Sequence, residues 1–182
     1  MENYSDREIL DLFQDEATRR KGFSILVNQY QRRLYWIIRK MVIDHDDTDD
    51  VLQNVLVKAW RGLAGFKENC ALYSWLYRIA TNESITFLNQ KKRDLALSHE
   101  AFHEHLANQV HEHSHLQATE VEEKLQKAIL TLPEKQRVVF HLRYFEEMPY
   151  EQMSEVLNTS EGALKASYHF AVKKIEKFLR ED

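Results

Sequence analysis

The sequence predicts an all-α protein made of two small helical domains, an N-terminal helical bundle and a C-terminal helix-turn-helix, joined by a linker. Only 4 Gly and 2 Pro occur among the 182 residues, whereas sheet proteins need many tight turns, which use these two residues. Apolar residues recur instead at helical spacing in several segments. The length of the chain allows one or two domains.

Composition also excludes several classes of protein. Cys70 is the only cysteine, so a disulfide scaffold is excluded. No apolar run approaches the roughly 18 residues of a membrane helix, and the acidic segment 1–6 lacks an apolar signal core. We therefore expect a soluble, cytoplasmic protein without membrane insertion. A net charge of −4 at first argues against nucleic-acid binding, because nucleic-acid binders usually carry a basic balance.

Charge is distributed unevenly, in three zones. Residues 1–95 carry 15 basic and 14 acidic side chains, residues 96–118 carry no basic and three acidic side chains with six histidines, and residues 119–182 carry 10 basic and 12 acidic side chains. The middle zone also lacks a sustained apolar stripe. We therefore predict a domain over 1–95, an acidic, histidine-rich linker over 96–118 and a second domain over 119–182.

Three helices are predicted in the first zone. The aspartate-rich run 44–50 separates the first from the second, because aspartate favours turns and caps helix starts. Gly62 and Gly65 end the second helix, and a third helix begins near Tyr73 and ends in the basic run 91–93. The core face of the first helix comprises Leu34, Ile37, Ile38, Met41 and Val42, and that of the second comprises Leu52, Val55, Leu56, Ala59 and Trp60.

Four helices are predicted in the last zone. Pro133 lies in the first turn of the second of them, and Pro149 opens the third. The segment 158–160 forms a three-residue turn, in which Asn158 tolerates a left-handed backbone and Ser160 caps the long last helix. The apolar residues that predict the first helix are Val121, Leu125, Ala128 and Ile129, and the core face of the last comprises Leu164, Tyr168, Ala171, Val172, Ile175, Phe178 and Leu179.

A short helix, a three-residue turn and a longer amphipathic helix are typical of a helix-turn-helix. The second helix of this motif enters the DNA major groove, and segment 160–180 here holds five basic and two acidic residues. An ordinary helical hairpin with a solvated basic face fits the same spacing, so the residues alone leave both interpretations open. The outward face comprises Gly162, Lys165, Ala166, His169, Lys173 and Glu176.

Four segments together resemble one known family. Residues 47–60, DTDDVLQNVLVKAW, resemble the helix with which sigma factors of the sigma-70 family bind core RNA polymerase. Residues 75–82, WLYRIATN, resemble the next helix, which helps to open the promoter. Residues 132–137, LPEKQR, and the helix-turn-helix resemble the C-terminal DNA-binding domain of that family. Two short domains with a linker are similar to its extracytoplasmic-function (ECF) group.

The resemblance implies a factor that binds core RNA polymerase and directs promoter recognition, promoter melting and transcription initiation, and that is not itself an enzyme. It also implies a docking face on the second helix, which is too polar for a core and suits a coiled coil of the polymerase. A merely solvated helix face is the alternative. The docking face comprises Asp47, Asp50, Gln53, Asn54, Val57 and Arg61.

Contacts to the melted minus-ten element are expected from the loop 66–71 and the third helix. Flipped bases are held by stacking and by hydrogen bonds to their edges, with basic side chains along the strand. Asn82 aligns with an asparagine that the family uses near the melted strand, whereas Trp75 is expected in the core. The minus-ten set comprises Phe66, Lys67, Asn69, Arg78, Asn82, Lys91, Lys92 and Arg93.

The resemblance assigns the minus-thirty-five element to the last helix and the turn before it. Gly162 allows close approach of the DNA backbone, and the Ser160 hydroxyl suits a phosphate. Ser167, Phe170 and Val172 stand where relatives often have arginine, the commonest reader of guanine. We therefore expect contacts from Lys165, Ser167 and His169 instead, with Phe170 against a thymine methyl. The recognition face comprises Thr159, Ser160, Gly162, Lys165, Ser167, His169, Phe170 and Lys173.

Two pairs of linker histidines have the i, i+4 spacing of metal ligands on a helix. Zinc binding is one interpretation, and a flexible linker with mild pH sensitivity is the other. We favour the second, because structural zinc sites usually have cysteines or a rigid frame; no metal or cofactor is therefore predicted. Cys70 is expected to be inert. The linker histidines are His99, His103, His105, His111, His113 and His115.

Two other functions fit parts of the sequence. One is a plain helix-turn-helix regulator whose N-terminal domain senses a ligand or dimerises, and the other is an interaction protein that sequesters a partner without DNA. The polar face around Asp50, Gln53 and Asn54 favours the sigma factor over the plain regulator, which has no need of it. The resemblance further implies an anti-sigma factor as a partner, because ECF sigma factors are commonly held inactive by one.

The division of charge removes the initial argument against DNA binding. Acidic residues concentrate in the 44–50 run and in the linker, while the 91–93 run and the last helix are basic. We therefore expect the free protein to bind promoter DNA weakly and the polymerase complex to bind it tightly.

Overall fold

The structure, a computed structural model, describes residues 4–68, 70–98, 101–102, 104–108 and 120–181. Within these ranges the secondary structure is helical, without strands, which confirms the predicted fold class. No helix in this part of the chain is long and apolar enough to cross a membrane. We number the main helices α1 (Asp6–Gln14), α2 (Arg19–Val42), α3 (His45–Gly62), α4 (Leu72–Asp94), α5 (Glu120–Leu130), α6 (Glu134–Phe140), α7 (Tyr150–Leu157) and α8 (Glu161–Glu181).

The chain divides into two compact units, Met1–Ser84 and Ile85–Asp182. The division falls inside α4, upstream of residue 95, where the sequence analysis ends its first domain. The N-terminal unit contains α1, α2, α3 and the first part of α4, and the C-terminal unit contains the rest of α4 and α5 to α8.

The N-terminal unit begins with α1, a helix that the sequence analysis does not predict. Ser5 and Glu8 form a capping box at its start: the Glu8 backbone N–H donates to the Ser5 hydroxyl (3.3 Å), and the Ser5 backbone N–H donates to the Glu8 carboxylate (2.8 Å). A Ser followed three residues later by Glu is the signal that could have identified this helix. Its buried face comprises Ile9, Leu10 and Phe13.

Helix α1 packs closely on α2 at Gly22. A Cβ at this position would lie 2.8 Å from the Phe13 backbone nitrogen and 3.0 Å from the Ile9 carbonyl oxygen, so the absence of a side chain lets the two backbones approach. Further along α2, the Tyr30 hydroxyl donates to the Asp6 carboxylate. Burial and this hydrogen bond raise the pKa of Tyr30 to about 12. Both contacts hold α1 against α2.

The turn from α2 to α3 lies at Ile43 and Asp44, at the start of the aspartate-rich run, and residues 45–50 of that run already belong to α3. All five predicted core residues of α2 are buried. Ile43 then adopts φ 75°, a left-handed conformation that β-branched residues rarely adopt. Asp44 caps α3, because its carboxylate accepts a hydrogen bond from the Asp47 backbone N–H at 3.0 Å.

The buried face of α3 differs from the predicted one. Trp60 is 37% exposed, although its ring packs edge-on against Phe13 and Phe23, with centroid distances of 5.2 and 5.0 Å. Leu52 and Leu56 are only half-buried. The predicted apolar face is therefore buried only at Val55 and Ala59, half-buried at Leu52 and Leu56, and exposed at Trp60. The residues that α3 buries are Thr48, Val51, Val55 and Ala59.

Helix α3 ends at Gly62, where the sequence predicts its end, but without a left-handed glycine cap. Neither Gly62 nor Gly65 has a positive φ, and α3 passes into a 3-10 turn, Leu63–Gly65. A Cβ on Gly62 would lie 3.0 Å from Cζ2 of Trp75. Gly62 thus makes room for the Trp75 indole, which is half-buried.

The C-terminal unit has a core shared by α5, α6 and α8. Pro133 is the N-cap of α6, one position before the predicted first turn, and Pro149 is the N-cap of α7. Asn158 ends α7 with φ 49° and ψ 47°, and the Ser160 hydroxyl accepts a hydrogen bond from the Ala163 backbone N–H at 3.4 Å. Both predicted turn roles are confirmed. The core comprises Ala128, Ile129, Leu132, Phe140, Ala171 and Ile175.

The predicted linker contains a helical segment at residues 101–102 and 104–108. The Ser98 hydroxyl accepts a hydrogen bond from the Ala101 backbone N–H at 3.1 Å. Phe102 and Leu106 are both buried, and their i, i+4 spacing is an apolar pattern that the sequence analysis overlooks. His105 lies within the described residues, whereas His99, His103, His111, His113 and His115 lie outside them.

Candidate functional site

The docking face lies on the side of α3 opposite its buried residues. Five of its six members are exposed and Asp47 is half-buried. Val57 is 47% exposed, which is high for a β-branched apolar side chain in a helix interior. Lys58, beside this face, forms an ion pair with Glu83 of α4 and fixes α3 against the next helix. The face is therefore polar, accessible and held on a rigid element.

An apolar groove borders the docking face, and the sequence analysis did not identify it. Phe23 of α2 lines it together with Leu56, Val57, Trp60 and Arg61 of α3, around a volume of about 500 Å³. Trp60 is held at its edge by the two aromatic contacts to α1 and α2. The signal in the sequence is a large aromatic residue, Trp60, at the margin of the apolar stripe of α3.

The N-terminal members of the minus-ten set lie in two places. Phe66 and Lys67 are in the connection between α3 and α4, and Arg78 and Asn82 are within α4. The Phe66 ring is half-buried and packs on Trp75, with centroids 5.3 Å apart. Lys67 and Asn82 are exposed and Arg78 is half-buried. Asn69 lies outside the described residues. Arg78 and Asn82 are four residues apart on α4 and therefore share one side of that helix.

The basic run at the C-terminal end of α4 is partly buried, and one of its side chains is hydrogen-bonded within the helix. Lys91 and Lys92 are half-buried and Arg93 is exposed. The Arg93 guanidinium donates to the Gln90 side-chain oxygen at 2.6 Å, and the Gln90 amide donates to Asp94 at 2.7 Å. Three cations in the last turn also suit the negative end of the helix dipole.

The recognition face is accessible along the first four turns of α8. Gly162, Lys165, His169, Phe170 and Lys173 are exposed, and Phe170 is 53% exposed. Ser160 is also exposed, while Thr159 and Ser167 are half-buried. The Thr159 hydroxyl donates to the Leu157 carbonyl oxygen at 3.0 Å.

A basic and aromatic cluster, which the sequence analysis did not identify, lies beside the recognition face. The Tyr150 ring, at the start of α7, has the Arg143 guanidinium 5.1 Å and the Lys165 ammonium 5.5 Å from its centroid. Lys165 also pairs with Glu161 at 3.0 Å. Burial raises the pKa of the nearby Tyr168 hydroxyl, and Tyr150 adds to the rise. The cluster joins both helices of the helix-turn-helix through cationic side chains.

No group of three His, Cys, Asp or Glu side chains in the described part of the chain could hold a metal ion. Five of the six linker histidines lie outside that part, so the absence of a metal in the linker stays a prediction. Cys70 is half-buried.

Two sequence models of known domains match the two helical regions. The model of sigma-70 region 2 matches residues 26–94, which contain α3, α4 and most of α2. The model of sigma-70 region 4 matches residues 122–175, which contain α6, α7 and most of α5 and α8. The two regions follow in the order that the sequence analysis predicts.

Full-length relatives agree with both matches. The chain is 30% identical over 169 residues to the RNA polymerase sigma-H factor of Pseudomonas aeruginosa, covering 88% of each protein. It is 28% identical over 168 residues to the ECF RNA polymerase sigma factor SigW of Bacillus subtilis, covering 88% of this chain and 90% of SigW.

Two solved structures share the fold. CnrH, in complex with the cytosolic domain of CnrY, superposes with a TM-score of 0.70 at 22% identity, covering 97% of this chain and 98% of that one. The sigma factor RpoE of Bartonella quintana, in complex with the anti-sigma factor NepR, has a TM-score of 0.66 at 19% identity, covering 89% and 99%.

The chain therefore belongs to the sigma-70 family of RNA polymerase sigma factors. Its relatives place it in the ECF group. The protein is a transcription initiation factor with a promoter-recognition role, which the sequence analysis predicted.

Proposed function

We propose that the docking face of α3 binds core RNA polymerase and that the adjoining groove anchors the contact. The observation that carries this proposal is a row of polar, exposed side chains on α3 beside the exposed apolar surface of Trp60 and Val57. Binding energy at protein interfaces concentrates in aromatic anchors that are surrounded by polar groups. The polar members set specificity and association rate more than affinity.

Introduction of positive charge on this face tests the proposal. Gln53→Lys with Asn54→Lys should weaken binding of the full chain to core polymerase by at least about 30-fold, a loss of about 2 kcal/mol. Gln14→Lys with Asn28→Lys changes two amides elsewhere in the same unit and serves as the matched control. Circular dichroism should show equal helicity for both double variants. Undiminished polymerase binding by the first variant would show that the docking face is assigned wrongly.

The minus-ten set captures the melted strand in this proposal. Asn82 is exposed on α4, where its amide can bond the edge of an unpaired base, and Lys67, Arg78 and the basic run 91–93 can neutralise phosphates. Asn69 belongs to the same set. Captured bases offset the cost of unstacking, which is a few kcal/mol per step. Asn82→Ala should reduce the permanganate reactivity of melted thymines at the promoter without lowering polymerase affinity; unchanged reactivity would remove Asn82 from the set.

The recognition face reads the minus-thirty-five element in the major groove. Lys165 and Lys173 serve the DNA backbone, Ser167 and His169 reach base edges, and Phe170 meets a thymine methyl. In the Tyr150 cluster, Arg143, which precedes the first helix of the motif, adds a further contact to the DNA backbone. Lys173→Ala should weaken binding of the polymerase complex equally at all promoters. It should also reduce the magnitude of the slope of log K against log salt by about one. A loss confined to particular promoters would instead make Lys173 a base reader.

The remaining assignments complete the proposed role. The protein works in the cytoplasm, where core polymerase and DNA meet, and catalyses no covalent chemistry of its own. Residues 1–95 and 119–182 form its two functional domains, joined by the linker 96–118. An anti-sigma factor is proposed as its partner, supported by the two structural neighbours, which are a sigma factor with NepR and CnrH with CnrY. Pull-down of the full chain with the product of a neighbouring gene tests this partner.

A further inference from the structure

Helix α2 has an unusual charge for a chain with a net charge of −4. It carries seven Arg and Lys side chains and no Asp or Glu between Arg19 and Val42. Trp36 in its second half is 52% exposed, and no other tryptophan of the chain is as exposed. None of these residues has a part in the docking face, the minus-ten set or the recognition face. A cationic helix with a solvent-facing indole needs a separate explanation, because apolar burial does not account for it.

Two arginines flank the exposed indole. Arg32 lies four residues before Trp36 and Arg39 three residues after it, so both are within about 60° of Trp36 around the helix and about 10 Å apart along its axis. Neither guanidinium makes an ion pair with another described residue. The neighbouring Arg33 is different, since its guanidinium lies 3.9 Å from the centroid of the Tyr73 ring. We call Arg32, Trp36 and Arg39 the basic stripe.

The ring of Trp36 is held in place from one side. The Tyr35 ring meets it edge-on, with centroids 5.5 Å apart, and the Tyr35 hydroxyl is hydrogen-bonded to Nδ1 of His45 at 2.7 Å. His45 belongs to the first turn of α3. The indole is therefore braced by the α2–α3 contact while more than half of its surface faces solvent. A braced aromatic ring between two cations is the arrangement with which proteins bind single-stranded nucleic acid, the base stacking on the ring and its flanking phosphates meeting the cations.

We propose that the basic stripe of α2 binds single-stranded DNA, with one unpaired base stacked on Trp36 and adjacent phosphates on Arg32 and Arg39. The inference rests on the proposed function, which brings this chain to DNA whose strands have been separated. It adds a second strand-binding surface to the minus-ten set, on a different helix and without base specificity. An acidic protein segment would also match the charge of the stripe, and binding of the stripe variants to core polymerase, described below, distinguishes a protein surface from a strand-binding surface.

Binding of a fluorescent, single-stranded 20-mer of mixed sequence to the full-length protein at low salt tests the proposal. Trp36→Ala should weaken binding at least about fivefold, since stacking on an aromatic ring contributes about 1–3 kcal/mol per base. Trp36→Phe should stay within about twofold of the original protein, because the phenyl ring still stacks. Arg32→Gln with Arg39→Gln should reduce the magnitude of the negative slope of log K against log salt by about 1.4, because each of the two lost phosphate contacts accounts for about 0.7.

The control variant is Arg20→Gln, which removes an exposed cation from the opposite side of the same helix and should change affinity by less than twofold. A 20-base-pair duplex is the control ligand, since its paired bases cannot stack on Trp36 and its affinity should not respond to Trp36→Ala. Loss of affinity in the arginine variant without loss in Trp36→Ala would show a general anion patch and overturn the proposal. Equal behaviour of Trp36→Ala and Arg20→Gln would also overturn it.

Binding of the same variants to core polymerase separates this inference from the proposed function. If the original protein binds core polymerase and the stripe variants bind it equally well, the 20-mer titration tests only the basic stripe and leaves the proposed function unaffected. If the stripe variants lose polymerase affinity instead of DNA affinity, the stripe is a polymerase surface and the inference is wrong. If the original protein does not bind core polymerase, the proposed function fails, and the 20-mer titration still decides whether the stripe binds single strands.

Discussion

Replacing Gly22 with alanine tests whether the close packing of α1 on α2 supports the N-terminal unit. The new Cβ would meet the Phe13 nitrogen at 2.8 Å and the Ile9 oxygen and Leu12 carbonyl carbon at 3.0 Å. All three are backbone atoms, which have no rotamer with which to move away. Ordinary contact begins at 3.4 Å, so α1 must shift outward by about 0.6 Å, the difference between 3.4 and 2.8 Å.

The expected loss of stability is about 1–2 kcal/mol. Inserting atoms into a packed interface costs about 1–3 kcal/mol, and the three close backbone contacts place Gly22→Ala at about 2–3 kcal/mol. Alanine recovers about 1 kcal/mol of that because it favours a helix interior more than glycine does. The shift also withdraws Phe13 from the edge of Trp60. We therefore expect polymerase affinity to fall together with stability, although Gly22 is not itself part of the docking face.

Urea unfolding followed by tryptophan fluorescence measures the effect in the relevant unit, because Trp36, Trp60 and Trp75 all lie in Met1–Ser84. The midpoint should fall in Gly22→Ala while the slope m stays constant. Gly65→Ala is the control, since a Cβ there meets nothing within 4 Å, and its stability should stay within about 0.5 kcal/mol. A Gly22→Ala variant as stable as the original protein would refute the close packing of α1.

Three other substitutions test single contacts. The Tyr30 hydroxyl ionises near pH 10 when unfolded and near pH 12 when folded, so its contribution is complete below pH 10 and disappears as pH rises towards 12; Tyr30→Phe should remove an alkaline loss of about 1–2 kcal/mol from urea titrations at successive pH values. Asn158→Val should lower the melting temperature, because a β-branched residue in the left-handed region costs about 1–2 kcal/mol, whereas Asn158→Gly should not. Phe170→Ala should leave stability unchanged and weaken promoter binding by the polymerase complex by about 1 kcal/mol. Exchange of thymine for uracil should weaken binding in the original protein and have no further effect in Phe170→Ala.

Local chemistry made several elements predictable. The Asp44 cap, the left-handed Asn158 and the Ser160 cap each depend on one side chain and its nearest backbone atoms, so residue type alone identifies them. The apolar stripe of α2 was equally clear, because its five members are regularly spaced and all face one core. Predictions of this kind need no knowledge of which helix packs against which.

Features that depend on tertiary packing were not predictable in the same way. Trp60 belongs to the apolar pattern of α3, yet it is partly exposed at the surface, where its ring packs edge-on against Phe13 and Phe23. Gly62 leaves space for the indole of Trp75 and does not act as a left-handed helix cap. Phe102 and Leu106 are buried, but two apolar residues form too short a pattern to predict a helix from the sequence. For the candidate sites, the sequence identified polar and basic faces, whereas the groove at Trp60 and the cluster around Tyr150 required neighbours from other helices.

Run-off transcription with core RNA polymerase and genomic templates tests the central claim most directly. The original protein should direct transcripts from discrete start points, and the Gln53→Lys, Asn54→Lys double variant should direct none while keeping its helicity. The Gln14→Lys, Asn28→Lys control should behave as the original protein does. The account would be contradicted if the original protein directed no promoter-dependent initiation on any genomic template. The same polymerase must initiate with another sigma factor under these conditions.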